Sequence, residues 1–421
     1  MSNLTLDGTP LGAMSDTTTQ QTLADAHTRH ARPLCGCRTP GVPMYVAATG
    51  SGFIVKRMPN SGAAHDAGCG SWQPPAALSG LGQVIGDAIT DNPEDGTTTL
   101  RFGFSLSKGV GRTAPEVTGE AEADTVVADG HKLTLRALLH YLWDEAALTT
   151  WSPRMAGRRN WRVVSWHLRQ AGHNKQAKRQ PLGRKLFIPE PFDPDHKAQL
   201  SSRRHAAWKA AQAKPGKPTP LMVVIGEVKA IEETRFFHKL VIKHLPDTSF
   251  LLDADVHRRL QKRFRADLDG WAGDDTAHLM VIATFLVNTA GMAVVQEIAF
   301  MLTDRNWLPL ESSASRLLIG AAVEQSRRFR VCLRYNLSAA DHSAALVFSD
   351  TEAPTAAFIL DEEPAGADPA ADDGADSGDI SGRELLTAEL AGMSAWEWNT
   401  DLEMPELPAR HQPKGPTHHG N

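Results

Sequence analysis

The chain has 421 residues, 41% hydrophobic and 22% charged, with a formal net charge of −5. That length exceeds what one core usually serves and predicts two or three domains, and the composition excludes a wholly disordered or fibrous chain. No run nears the roughly 20 apolar residues of a membrane-spanning helix, and the start lacks a basic, apolar signal pattern, so the reading is cytoplasmic with no membrane partner.

Residues 1–30 are rich in Thr, Asp and Gly without periodicity and read as a disordered lead-in. Residues 31–130 read as a zinc-binding β module. Met44-Tyr45-Val46, the turn Gly50-Ser51-Gly52 and Phe53-Ile54-Val55 spell a hairpin, and residues 98–106 add a strand. Cys35 and Cys37 flank a glycine on one turn before the hairpin, and His65 and Cys69 lie on another after it. Disulfides are rare in the cytoplasm, whereas zinc takes four Cys and His ligands in a tetrahedron. The hairpin would return the second pair beside the first. Four ligands with no open position imply a structural ion. The single-residue gap in Cys35-x-Cys37 departs from the common two-residue spacing. Buried thiols beside a surface histidine, or a redox-active cysteine pair, are the other readings. Cys332 stands apart in a strand-like run and reads as a packing residue.

Residues 131–220 change to helical spacing. Leu135, Leu138, Leu139, Leu142 and Ala146 line one face, a break follows at Trp151-Ser152-Pro153, and Asn160 caps a second helix carrying Trp161, Val164 and Leu168. The pair resembles a helix-turn-helix, with Leu186-Phe187-Ile188 as a wing strand and another helix over 200–213. Residues 154–217 hold 16 Lys and Arg against 3 Asp and Glu, which calls for an anionic partner. Arg158, Arg159, Arg162, Arg169, Lys175, Lys178, Arg179, Arg184 and Lys185 read as a nucleic-acid face dominated by phosphate contacts. A solvated basic surface explains the same residues. Trp143, Trp151, Trp161 and Trp166 read as core.

Residues 221–360 alternate in the manner of strands at 221–228, 236–242, 278–287, 292–302, 329–335, 344–348 and 356–360, with helices over 255–268 and 314–325. This predicts an α+β domain with a mixed antiparallel sheet. Within it Glu227-x-Lys229, with Asp195 upstream, is similar to the signature of restriction-type nucleases. There the carboxylates hold magnesium and the lysine orients water, provided that strand alternation aims Glu227 and Lys229 at one face. An ordinary edge strand is the alternative. Asp253 reads as a helix cap. Residues 361–421 carry 14 acids against 3 bases and read as a disordered acidic tail that masks the basic segment or binds a protein partner, with one docking helix over 382–398.

Cys35-x-Cys37, the Pro-Gly-Val-Pro-Met-Tyr run at 40–45, Lys56-Arg57-Met58-Pro59 and His65-x-x-x-Cys69 resemble a bacterial family, the domain of unknown function numbered 1173. The resemblance extends through residues 133–166, 224–229, 240–246 and 327–336. It implies a shared set of three cysteines, matched here by Cys35, Cys37 and Cys69, and genes carried on plasmids and integrating elements, with no assigned activity. Taken together, the expectation is a multidomain α+β protein associated with nucleic acid, built on structural zinc and serving a mobile element. A magnesium-dependent nuclease and a protein-binding scaffold are the alternatives.

Overall fold

Residues 4–30, expected to be disordered, are folded. In the computed structural model, which describes residues 4–49, 52–109, 130–214, 216–235, 237–338, 341–360 and 392–411, β1 (Leu4–Leu6) and β2 (Thr9–Pro10) turn through Asp7 and Gly8 at positive φ and lead into α1 (Thr17–Thr28). Leu6, Leu23 and Ala26 bury against Val46. The helix hides in the sequence because so few of its residues are apolar anchors, and tertiary contact rather than periodicity holds it. β3 (Leu34–Cys35), β4 (Val42–Thr49) and β5 (Gly52–Arg57) complete a sheet ordered β2-β1-β3-β4-β5. The predicted hairpin is present, with Val46 opposite Val55. Gly50 and Ser51 of its turn lie outside the described residues.

α2 (Leu81–Val84), β6 (Ile89–Asn92), β7 (Thr97–Leu100) and β8 (Ser107–Lys108) come next. They are followed by α3 (Leu135–Glu145), β9 (Thr150–Trp151), α4 (Trp161–Ala171), β10 (Lys175–Ala177), β11 (Gln180–Pro181), β12 (Leu186–Phe187), α5 (Lys197–Trp208) and β13 (Thr219–Pro220). Both predicted helices and their caps are present: Thr134 accepts from the Ala137 N–H at 3.1 Å and Asn160 from that of Val163 at 3.2 Å.

The helix-turn-helix reading is corrected. That motif needs a turn of about 3–4 residues, whereas here β9 intervenes and pairs with residues 329 and 330. The supposed wing, β12, is instead an edge strand parallel to β14 (Met222–Glu233). The borders drawn at 131 and 220 are crossed as well. β10 pairs with β7, and one continuous core holds Trp143, Trp161, Phe250, Phe300 and Phe348.

β15 (His238–Ile242), β16 (Ser249–Leu252), α6 (Ala254–Arg263), α7 (Arg265–Ala272), β17 (His278–Val287) and β18 (Ala293–Thr303) build the centre of that core with β14. β14 pairs along residues 222–227 with β17 and along 228–233 with β15, bending at a bulge between Val228 and Ala230. The ring then runs β14-β15-β16-β18-β17 and back to β14, with β16 and β18 parallel and the other neighbours antiparallel. Closure removes the exposed edges of these strands. A Cβ on Gly226 would lie 2.6 Å from Ile242 Cγ2, so glycine permits the close approach of β14 to β15. α3, α6 and α7 pack on β18. Asp253 caps α6 as predicted, accepting from the Val256 N–H at 2.7 Å.

The chain continues through β19 (Pro309–Leu310), α8 (Ser313–Glu324), β20 (Phe329–Val331), β21 (Leu346–Phe348), β22 (Thr355–Leu360) and β23 (Ser394–Asn399). The class is α+β, as expected. The docking helix is corrected where it can be seen. Residues 394–399 are a strand parallel to β22, because Trp396 and Trp398, two apart, share one strand face. Their indole N–H groups donate to the carbonyls of Glu406 at 2.9 Å and Leu402 at 3.0 Å. Part of the expected disordered tail is therefore structured, while 361–391 and 412–421, including Leu385, Leu386 and Leu390, lie outside the described residues.

His140 on α3 is fully buried; its Nδ1 accepts from the Tyr335 N–H at 3.0 Å, while Nε2 has no hydrogen-bond partner and lies 3.7 Å from Glu311 Oε1. Burial pushes its pKa down to about 4, against the opposing pull of Glu311. The unfolded chain thus binds a proton, as pH falls from about 6.5 toward 4, that the folded chain refuses. Stability should fall across that window by up to about 3 kcal/mol. Urea melts of the wild type and His140→Gln at pH 7 and 5 check this: the difference between the two pH values should shrink in the variant, and an equal difference would exclude His140 as its source.

Candidate metal centre

Cys35 ends β3, and Cys37 follows across Gly36. The β4–β5 hairpin then carries the chain back, and a short turn at Gly62–Ala64 delivers His65. Asp66 Oδ1 accepts from the Gly68 N–H at 2.9 Å and tightens the loop that presents Cys69. Arg57, at the end of β5, donates to the Ser71 carbonyl at 3.2 Å and to Gln73 Oε1, fixing that loop to the hairpin.

These elements bring the predicted residues together. One ligand atom from each of Cys35, Cys37, His65 and Cys69 lies within 4.8 Å of all the others. Cys35 Sγ is 3.7 Å from Cys69 Sγ, and His65 Nδ1 is 3.3 Å from Cys37 Sγ and 3.8 Å from Cys69 Sγ. A tetrahedron with metal–sulfur bonds of about 2.3 Å has edges of about 3.7 Å, whereas a disulfide needs about 2.05 Å. His65 is fully buried, unlike a surface histidine, and its Nε2 has no hydrogen-bond partner.

The electrostatics favour the same conclusion. Burial, with the neighbouring Cys37 and Cys69 thiols, pushes the Cys35 thiol up. Burial, then Arg57 and Arg38, pushes His65 down, which favours the neutral form of its imidazole. A cation would replace the thiol protons and accept the imidazole lone pair, as metal ligation requires. The backbone N–H groups of Asp66 and Ser71 point to Cys37 Sγ at 3.5 Å and Cys69 Sγ at 3.4 Å, where they would support thiolate charge. The set is compatible with a metal ion.

A family model described as "Protein of unknown function (DUF1173)" matches residues 12–400. The chain belongs to this family. No curated protein and no solved structure matches it. The DUF1173 match takes in the four clustered Cys and His residues, the barrel and β23.

The other predicted sites of this DUF1173 chain are dispersed. Arg158, Arg162, Lys178, Arg179 and Arg184 are exposed and Lys185 is half-buried. Arg159 instead holds the carbonyls of Leu148 at 2.9 Å, Asn306 at 3.2 Å and Thr150. Arg169 donates to the Ile188 carbonyl at 3.3 Å and Ser165 Oγ at 3.0 Å. Lys175 is buried, its ammonium bonded to Glu145 at 2.6 Å, Tyr141 at 2.6 Å and Thr98 at 3.1 Å. These three cations act inside the fold. Trp143, Trp151 and Trp161 are core, whereas Trp166 is 54% exposed, against expectation.

The proposed nuclease constellation is not assembled. Glu227 is buried and accepts from Lys243 and His278, each at 2.8 Å. Lys229 falls in the bulge, which breaks the alternation that would have aligned it with Glu227, and its side chain is exposed. Asp195 lies exposed in the turn Pro194–His196. Burial would raise the Glu227 carboxyl, but His278 and Lys243 hold it below its ordinary range. Among the described residues, the Cys–His set alone gathers three or more candidate metal ligands. No helix among them is long and apolar enough to cross a membrane.

Proposed function

We propose that this chain binds single-stranded nucleic acid on the outer face of its closed barrel, and that the ion at Cys35, Cys37, His65 and Cys69 is structural zinc. The barrel carries the first part. Five strands follow the circular order first-second-third-fifth-fourth, the third and fifth are parallel, and helices fill the connection between third and fourth. That topology resembles the oligonucleotide- and oligosaccharide-binding fold, which binds along its second and third strands and the adjoining loops. Here those strands are β15 and β16, flanked by residues 234, 235 and 237 on one side and 288–292 on the other. Lys239, Val241, Ser249 and Leu251 are half-exposed there, Lys229 and Lys243 are exposed, and Met292 is 44% exposed. Ammonium groups beside apolar side chains suit a sugar-phosphate backbone with unstacked bases. Three thiolates and an imidazole, with four ligands and no open position, favour structural zinc.

Fluorescence anisotropy with a labelled single strand of about 16 nucleotides tests the barrel reading. The double variant Lys229→Ala/Lys239→Ala should bind about tenfold more weakly and show a shallower dependence on salt. Arg162→Ala, on α4, should change affinity less. A reversed ranking would move the strand to α4 and overturn the barrel reading, as would absence of binding at low salt.

A further inference from the structure

Between α5 and the segment that joins α4 to it lies a cavity of about 420 Å³, bordered also by the turn that follows β15. The volume falls within the range usual for small-molecule sites, about 300–1,000 Å³. Leu186, Phe187 and Phe192 from the joining segment and Leu200 from α5 are half-exposed, so each offers accessible apolar surface. Among the lining residues Ser201 alone carries a hydroxyl or amide side chain, and it already accepts from Arg204 at 3.1 Å. A ligand body that needed hydrogen bonds would find few partners here, so the wall selects an apolar one.

Charge decides the other end of the ligand. Arg169, Lys197, Arg203 and Arg204 line the cavity against two carboxylates, Glu190 and Asp247. Both carboxylates are engaged: Arg203 donates to the two Glu190 oxygens at 3.0 and 2.7 Å, and Arg204 to the two Asp247 oxygens at 2.9 and 3.2 Å. Arg169 is held by the Ile188 carbonyl and Ser165. Lys197 is exposed and makes no hydrogen bond or ion pair among the described residues, and Asp247, the acid it influences, is bonded by Arg204 instead. His244 supplies a second donor. Its Nδ1 accepts from the Phe192 N–H at 3.2 Å and its ring stacks on Trp161 with centroids 5.4 Å apart, so the neutral ring carries its proton on Nε2. That Nε2 has no partner among the described residues and, unlike the Nε2 of His140, is not sealed from solvent. Most of the wall belongs to residues 154–217, with 16 Lys and Arg against 3 Asp and Glu, so the surroundings also favour an anion.

We infer that this cavity binds a monocarboxylate with an apolar body. The carboxylate accepts from the Lys197 ammonium and from His244 Nε2, as charge-assisted hydrogen bonds, and the body lies against Leu186, Phe187, Phe192 and Leu200. A nucleobase suits the cavity less well, because its polar edges would meet an apolar wall. The site is separate from the barrel face and does not depend on its reading.

The test is calorimetric titration of the full-length, metal-replete protein with octanoate, with octanol as the arm lacking the charge and acetate as the arm lacking the body. Octanoate should bind saturably, and octanol and acetate about tenfold more weakly. Lys197→Gln should weaken octanoate about tenfold and Lys197→Arg should restore much of the loss. Leu200→Asp sets a carboxylate against the ligand at a half-exposed position and should abolish binding, with an unchanged melting temperature showing that the fold is intact. Lys229→Ala/Lys239→Ala should leave octanoate binding unchanged. No saturable octanoate binding, or wild-type affinity in either Lys197→Gln or Leu200→Asp, would overturn the site. Octanol binding as tightly as octanoate would overturn the role of the carboxylate, and acetate doing so would overturn the role of the apolar wall. If octanoate and the labelled single strand competed, the cavity would belong to the strand path and a separate site would be rejected.

Discussion

Removing the metal from Cys35, Cys37, His65 and Cys69 is expected to unfold the N-terminal sheet. The cluster beside the ligands is small, with Cys35, Val42 and Met44 its buried members. A core of that size offers little burial to offset chain entropy. Binding of a structural zinc contributes on the order of 10 kcal/mol in peptide-sized sites, and most of it appears as folding free energy. Chelation under mild denaturant, or Cys37→Ser, should abolish stoichiometric metal, lower the first melting transition and open residues 4–75 to protease. The effect should reach β5, because Arg57 ties the Cys69 loop to it. Metal-free protein with an unchanged melting curve and protease pattern would remove the ion from the folding account.

The second large effect is expected from Lys175→Met. Lys175 is 2% exposed and joins β10 to α3 through Glu145 and Tyr141 and to β7 through Thr98. Taking away the ammonium leaves the Tyr141 and Thr98 hydroxyls without their buried partner and Glu145, whose side chain is 27% exposed, with Lys56 alone, which costs about 1–3 kcal/mol. Burial alone would raise the Glu145 carboxyl, yet Lys175 first, and then Lys56, draw it down to about 2. The folded pKa is thus depressed, so this contribution is present above the ordinary carboxylate value and is lost as pH falls from about 4.5 toward 2. Lys175→Met should lose stability at pH 7 and also lose part of that acid sensitivity. Urea melts measure both, and a loss below about 1 kcal/mol at pH 7 would exclude a structural ion pair. Unchanged oligonucleotide affinity in the same variant would separate the interior role of Lys175 from the surface role that its position in a basic stretch suggested.

Local features of the chain were legible and closure was not. The clustering of the four Cys and His residues could be read because Cys35-x-Cys37 and His65-x-x-x-Cys69 bracket a hairpin whose alternation is plain. The caps at Asn160 and Asp253 are likewise signals within a few residues. The barrel depends on pairing β14 with β17 and β16 with β18 across intervening helices, and on one bulge residue, Lys229; no short window contains that information. The same bulge separates Glu227 from Lys229, so a pattern that assumed strict alternation joined residues that the fold parts. Arg159, Arg169 and Lys175 looked like surface because cations usually are, and only their three-dimensional partners show otherwise.

The pairing of β23 with β22 dictates where the acidic segment can be excised. A stop codon after Leu360 would remove negative charge and also a strand, both tryptophans that latch to residues 402 and 406, and Arg410 near Asp350. Any gain or loss of affinity in such a truncation would mix electrostatics with a damaged sheet. Because β22 and β23 run parallel, a linker replacing 361–391 has to return along the length of β22, about 20 Å for six residues. A neutral linker of that reach would isolate the charge of the excised segment while leaving the sheet whole.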